Sequence, residues 1–221
     1  MNQKFIIANW KQQKTWGEAA NWGEEFAGLA KAGSFGSAVV VVCPPTPFLQ
    51  NLSVLLEPVG VVLGVQDVSP FEDGAHTGFI GVNQIGQFCR YAIVGHSERQ
   101  EDRGQVWQKA QLCLSANVTP IICFKSPDQY QLLDGAIYAL EDPEHISQQG
   151  VYRPKNIEEL KGWLQEARNF FGSEAPIIYG GSVNPDNAGE LAALDNLDGV
   201  LVGYASLKPA AFVDIVSRFS L

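Results

Sequence analysis

Tyr91-Ala92-Ile93-Val94-Gly95-His96-Ser97-Glu98-Arg99 holds the architecture of the chain in miniature. An apolar run of four residues ends at a glycine and passes at once into a histidine, a serine and two charged side chains. Such a short, β-branched run bounded by turn residues reads as a strand buried on both faces, the form strands take in a parallel sheet. Seven further runs share the pattern: Phe5–Ala8, Ala38–Cys43, Val61–Val65, Thr119–Cys123, Ala136–Leu140, Pro176–Tyr179 and Gly199–Val202. Between most of them lie segments of helical periodicity, among them Trp16–Ala30, Gln105–Leu114, Ile157–Phe171 and Pro209–Phe219. Strand and helix alternate from end to end, which predicts an α/β protein: one (β/α)8 TIM barrel occupying residues 1–221 as a single domain. A doubly wound open sheet alternates in the same way and stays open as the alternative, although no GxGxxG fingerprint follows the first strand. The connection from Lys125 to Gly135, between strands five and six, is shortened to near the ~10 to 12 residues a parallel crossover needs. It has room for one helical turn.

The chain has 221 residues, 46% of them hydrophobic, enough for a substantial core. Its 15 Lys and Arg face 24 Asp and Glu, a net charge of -9 that repels nucleic acid and anionic lipid. The same field repels a phosphorylated metabolite, so any anion site has to be built locally from backbone N–H groups and one or two placed cations. Cys43, Cys89, Cys113 and Cys123 show no CxxC spacing and read as reduced, structural thiols. The Met1–Trp10 segment contains a four-residue apolar run, too short for a signal-peptide core, and no later stretch is long enough to span a membrane. A cytoplasmic protein is the expectation.

In a barrel of this type the chemistry sits at the carboxyl ends of the strands. Strand one runs into Asn9-Trp10-Lys11, strand four into Gly95-His96-Ser97-Glu98, strand six into Glu141-Asp142 and strand seven into Gly180-Gly181-Ser182. Taken singly, His96 would serve equally well by bonding a loop carbonyl, and Glu141 and Lys11 as solvated charges. Barrel closure brings these ends around one mouth, and their convergence makes them a candidate site. In Tyr179-Gly180-Gly181-Ser182-Val183-Asn184-Pro185, paired glycines allow the backbone to approach an anion, and Asn184 is placed to cap a helix that starts at Pro185. Gly203-Tyr204-Ala205-Ser206 is a second small-residue turn, after strand eight. Loops after strands seven and eight form the usual phosphate site of this fold.

At these residues the chain closely resembles the triosephosphate isomerase family. The pieces are Ala8-Asn9-Trp10-Lys11, Gln66–Phe71 with Gly74–Gly78, Ile93–Arg99, Thr119–Cys123, Tyr179–Asp186 and Val202–Leu207, in family order over almost the whole chain. The short connection between strands five and six is similar to that of the compact archaeal members. The resemblance implies interconversion of dihydroxyacetone phosphate and glyceraldehyde 3-phosphate through an enediol, with no metal or organic cofactor. It casts Glu141 as the base, His96 as a neutral electrophile, Lys11 and Asn9 as the electrostatic surround and Glu98 as support. It casts Ser147, Gly181, Ser182, Gly203 and Tyr204 as phosphate-binding positions. It also implies a homodimer through the third βα loop, Phe71–Phe79, with Thr77 approaching Asn9 and His96 of the partner subunit.

Three residues depart from the family pattern. Asp142 stands where proline usually follows the base, and brings a second negative charge next to it. Ser147 replaces a lid glycine whose N–H would reach the phosphate, and Tyr204 replaces the second glycine of the strand-eight turn. Slower or less complete lid closure and a weakened phosphate site are the expected consequences. Two other functions compete: an isomerase or lyase for another small sugar phosphate, and a degenerate, low-activity family member kept for binding or assembly. Against Schiff-base chemistry, no lysine ends strand six.

Overall fold

The computed structural model describes residues 3–30, 35–146 and 151–220. Eight parallel strands follow one another around a closed barrel: β1 (Phe5–Asn9), β2 (Val39–Cys43), β3 (Val62–Val65), β4 (Tyr91–Val94), β5 (Thr119–Phe124), β6 (Ile137–Leu140), β7 (Ile177–Tyr179) and β8 (Gly199–Val202). Closure is made by β8 on β1, in the register Phe5↔Gly199 to Ala8↔Val202, which rules out the open sheet. Both faces of each strand are buried, as their unbroken apolar character required. Phe5, Ile7, Val41, Cys43, Ile121, Cys123, Ile137, Ala139, Ile178 and Leu201 fill the barrel interior. Their neighbours of opposite parity, such as Ile6, Ala8, Val40, Val42, Ile122 and Ile177, face the surrounding helices.

That parity decides what lines the mouth. Continuing the inward-facing series by one step reaches Asn9 after Phe5 and Ile7, Glu141 after Ile137 and Ala139, Gly180 after Ile178, and Gly203 after Leu201. Four side-chain positions thus converge on the carboxyl end because strand residues alternate.

The described helices are α1 (Trp16–Leu29), α2 (Leu49–Leu56), α3 (Val82–Ile85), α4 (Arg103–Ser115), α5 (Ile157–Phe171), α6 (Pro185–Ala192) and α7 (Pro209–Phe219). Thr15 and Glu18 start α1 with a reciprocal capping box, each side chain taking up the other end's free N–H. Trp22 stacks on Phe26 at 4.8 Å between ring centroids, and Phe26 meets Phe212, joining α1 to α7. The Asp102 carboxylate accepts the Gln105 N–H at 2.9 Å, so α4 begins two residues before its apolar periodicity does. Asn184 and Pro185 start α6 as their residue types required. The connection between β5 and β6 holds one 3₁₀ turn, Pro127–Gln129. All four cysteines are free and buried, and burial pushes the Cys89 and Cys113 thiols up to about 12. None of the described helices is long and apolar enough to cross a membrane.

Candidate active site

The turn after β4 sets the imidazole. Gly95 has φ +72°, and a Cβ there would sit 2.8 Å from Val106 Cγ1, so only glycine makes this turn without strain. It hands the chain to His96, which starts a 3₁₀ turn, Ser97–Arg99. His96 is 6% exposed. Its Nδ1 accepts the Glu98 backbone N–H at 3.2 Å, and a nitrogen that accepts carries no proton. The ring proton is therefore on Nε2, which lies 3.3 Å from Glu141 Oε1.

Glu141 follows β6, where its own N–H donates to the Phe124 carbonyl at 2.8 Å. It is 4% exposed, and among the described residues its Oε2 has no hydrogen-bond partner. A buried carboxylate oxygen without a donor is costly, and it is left free to take up a hydrogen-bond donor brought to it. Gly180 leaves room for this side chain, since a Cβ there would stand 2.8 Å from Glu141 Cγ. Burial, and then the Glu141 charge, push the neighbouring Cys123 thiol well up, so it stays a neutral wall.

Lys11 has φ +52° and is held by its surroundings. Its N–H donates to Asn9 Oδ1 at 3.1 Å, its carbonyl accepts from Gln66 Nε2 at 2.9 Å, and its ammonium pairs with Glu98 Oε1 at 2.6 Å. Gln66 also donates to the Cys43 carbonyl at 3.0 Å, bridging the ends of β1 and β2. The resemblance included Gln66 within a motif but assigned it no part in the site. A polar amide directly after β3, half-buried in the structure, was the available signal.

The turn after β7 meets the segment after Glu141. Ser182 Oγ donates to the His145 carbonyl at 2.7 Å and accepts the Arg153 N–H at 2.9 Å, so one hydroxyl holds the described segments on both sides of residues 147–150. Gly181 packs against the Tyr179 hydroxyl, where a Cβ would have no room. Gly203 accepts from the Ser206 N–H at 3.0 Å and from Ser206 Oγ at 2.7 Å. Ser147 lies outside the described residues.

Asp142 does not crowd Glu141 as expected. Its carboxylate turns away and accepts the Glu144 N–H, with Lys125 Nζ, Lys155 Nζ and His145 Nε2 within 3.5–3.8 Å. Burial raises its carboxyl, but that hydrogen bond and then the charges of Lys125 and Lys155, with a smaller share from His145, outweigh burial and hold it below the usual carboxylate range. The Tyr204 ring lies edge-on to Tyr152, 6.3 Å between centroids, and an open cleft of about 650 Å³ remains beside it.

Asn9, Lys11, His96, Glu141, Gly180, Ser182 and Gly203 line one narrow recess, with Ile146 over it. Glu98 and Tyr204 sit on its rim, in the wider cleft. The arrangement offers a buried carboxylate, a fixed N–H donor and a cation around a recess of about 20 Å³, which shares Asn9, Lys11 and Gly203 with the wider cleft. Among the described residues, no three His, Cys, Asp or Glu side chains cluster as metal ligands would.

The chain matches the family model described as "Triosephosphate isomerase" over residues 4–219. It is 33% identical to the protein of that name from Halorhodospira halophila, over 97% of each chain. It is likewise 33% identical to that from Thermus thermophilus over 98% of each, and 31% to that from Paracidovorax citrulli over 97% of this chain and 98% of that one. The first alignment spans 248 positions against 221 residues here, so this chain lacks segments that the relative carries.

Proposed function

The chain belongs to the triosephosphate isomerase family, and from that membership we propose a residue-level route for its reaction, the interconversion of dihydroxyacetone phosphate and glyceraldehyde 3-phosphate. With the ketose bound, a Glu141 oxygen takes the proton from C1. The C1–H electron pair becomes the C1–C2 π bond, and the carbonyl pair moves onto O2, toward the His96 Nε2–H and the Lys11 ammonium. Proton exchange between O1 and O2 through His96 Nε2 carries the enediolate across. Glu141 then returns its proton to C2, leaving the aldehyde at C1.

The observation that carries this reading is the 3.3 Å approach of His96 Nε2 to Glu141 Oε1 with the other imidazole nitrogen occupied by a backbone donor. A donor and a base side by side, both nearly dry, suit a reaction in which a proton leaves carbon while charge grows on the adjacent oxygen. Asn9 orients the Lys11 turn, and Glu98 places the Lys11 ammonium. Ser182 and Gly203, with Gly181 behind them, receive the phosphate.

A coupled assay for glyceraldehyde 3-phosphate tests the route. Glu141→Gln and His96→Gln should each lower kcat by at least about 10²-fold, the usual cost of removing a proton-transfer group or an oxyanion donor. Wild type and Glu141→Gln of equal activity would exclude it.

The exposed Phe71, Phe79 and Ile80 support a homodimer. Phe71 stacks on His76 and meets Phe79 edge-on at 5.3 Å, forming an apolar knob on a loop exposed from end to end. A cleft of about 480 Å³ beside Lys11, Gln66 and His96 has the place and size to receive such a loop from a second copy. A cytoplasmic location accords with the glycolytic role of the family and the four free thiols. Closure of β8 on β1 favours one cooperative folding unit.

A further inference from the structure

We infer that Arg153 selects the phosphate end of the substrate, its guanidinium pairing with the phosphate oxygens above the Ser182 and Gly203 turns. This rests on the isomerase reading above. The family's glycine turns bind an anion through backbone N–H groups, and here one of those glycines is Tyr204.

Arg153 is anchored at the rim of the recess. Its N–H donates to Ser182 Oγ at 2.9 Å, and the preceding Tyr152 packs on Tyr204. It lines the outer cleft together with Lys11, Gly203 and Tyr204. The one carboxylate on that cleft, Glu98, is taken by Lys11 at 2.6 Å. Among the described residues no carboxylate lies within ion-pairing distance of Arg153, so it is the cation of this cleft whose charge is not already matched.

The charge balance makes that cation matter. A chain of net charge -9 repels a phosphate dianion until the last few ångströms, where a local cation has to reverse the field. Arginine suits the task, because its planar fork bonds two phosphate oxygens at once. The Tyr152–Tyr204 contact braces the segment that carries it, so the tyrosine that departs from the family pattern supports the arginine beside it.

Calorimetric titration with inorganic phosphate, alongside steady-state assays, separates this from the catalytic reading. Arg153→Gln keeps the backbone bond to Ser182 and should weaken phosphate binding and raise KM by about 10- to 100-fold, the range for losing a charge-assisted hydrogen bond. KM should rise by more than kcat falls, and Arg153→Lys should recover part of the loss. Unchanged phosphate affinity and KM in Arg153→Gln would overturn the assignment. If Arg153→Gln failed to fold, Arg153→Lys carries the comparison, since loss of the fork alone should weaken phosphate measurably and equal affinity would overturn the assignment. A wild type that binds phosphate through Arg153 but does not isomerise would sink the isomerase reading alone.

Discussion

Asp142 Oδ2 lies 3.5 Å from Lys155 Nζ, and the same ammonium sits 3.8 Å above the Trp163 ring centroid. The residue after Glu141 is thereby tied to the segment that leads into α5, where Trp163 lies. Because Asp142 is held below the usual carboxylate range, its contribution to stability is present at neutral pH and is lost as the pH falls through that lowered value. Asp142→Asn should cost about 1–3 kcal/mol by leaving a nearly buried lysine short of a partner. Thermal melts at pH 7 should show the loss, and the difference from wild type should shrink below about pH 4, where the unfolded carboxyl is itself protonated. A difference that stays constant down to pH 2 would contradict the ionised pair.

Gly180→Ala tests the space reserved for Glu141, the proposed base. A methyl group 2.8 Å from Glu141 Cγ and 3.0 Å from its Oε1 forces that side chain to shift. Misplacing a catalytic group by about 1 Å can cost on the order of 10²-fold in rate. The expected result is a fall in kcat of that order with a melting temperature near wild type. Full activity would show that Glu141 has slack.

Lys109 is 2% exposed and pairs with Asp67 at 2.5 Å and with Glu101. Arg99 joins the same two carboxylates from the loop that carries His96. Lys109→Met leaves two acids facing each other in a poorly solvated place. Breaking such a buried network costs about 3–5 kcal/mol. Chemical denaturation should show that loss, and kcat should also fall, because the network steadies the His96 turn. A neutral effect on stability would mean that water replaces the ammonium.

Thr77→Arg places a charge at the tip of the exposed loop proposed to enter a partner subunit. Light scattering after size-exclusion chromatography should report about twice the chain mass for wild type and a monomer for the variant. Activity should fall with the dimer, since the receiving cleft borders Lys11 and His96. A monomeric wild type of full activity would refute the assembly.

The strands were legible in the sequence because burial on both faces writes a continuous apolar run, and each falls within one residue of its expected bounds. The inward position of Glu141 was legible too, since strand alternation carries Ile137 and Ala139 on to it. Helices α2 and α3 were not. Each is short, neither has a side-chain donor or acceptor at its N-cap that forms a bond, and α2 grows out of a 3₁₀ turn that contains Pro47.

The sequence by itself determined the alternation of strand and helix, the family and the identity of the residues at the strand ends, because those depend on local pattern and on order along the chain. Only the tertiary structure decided that the sheet closes and how these residues are engaged: which His96 nitrogen faces Glu141, that Asp142 turns to Lys155, and that Ser182 binds the segments on both sides of residues 147–150. These are pairings between segments that barrel closure alone makes neighbours. No periodicity or spacing records the direction in which a side chain turns once a partner from a distant strand arrives.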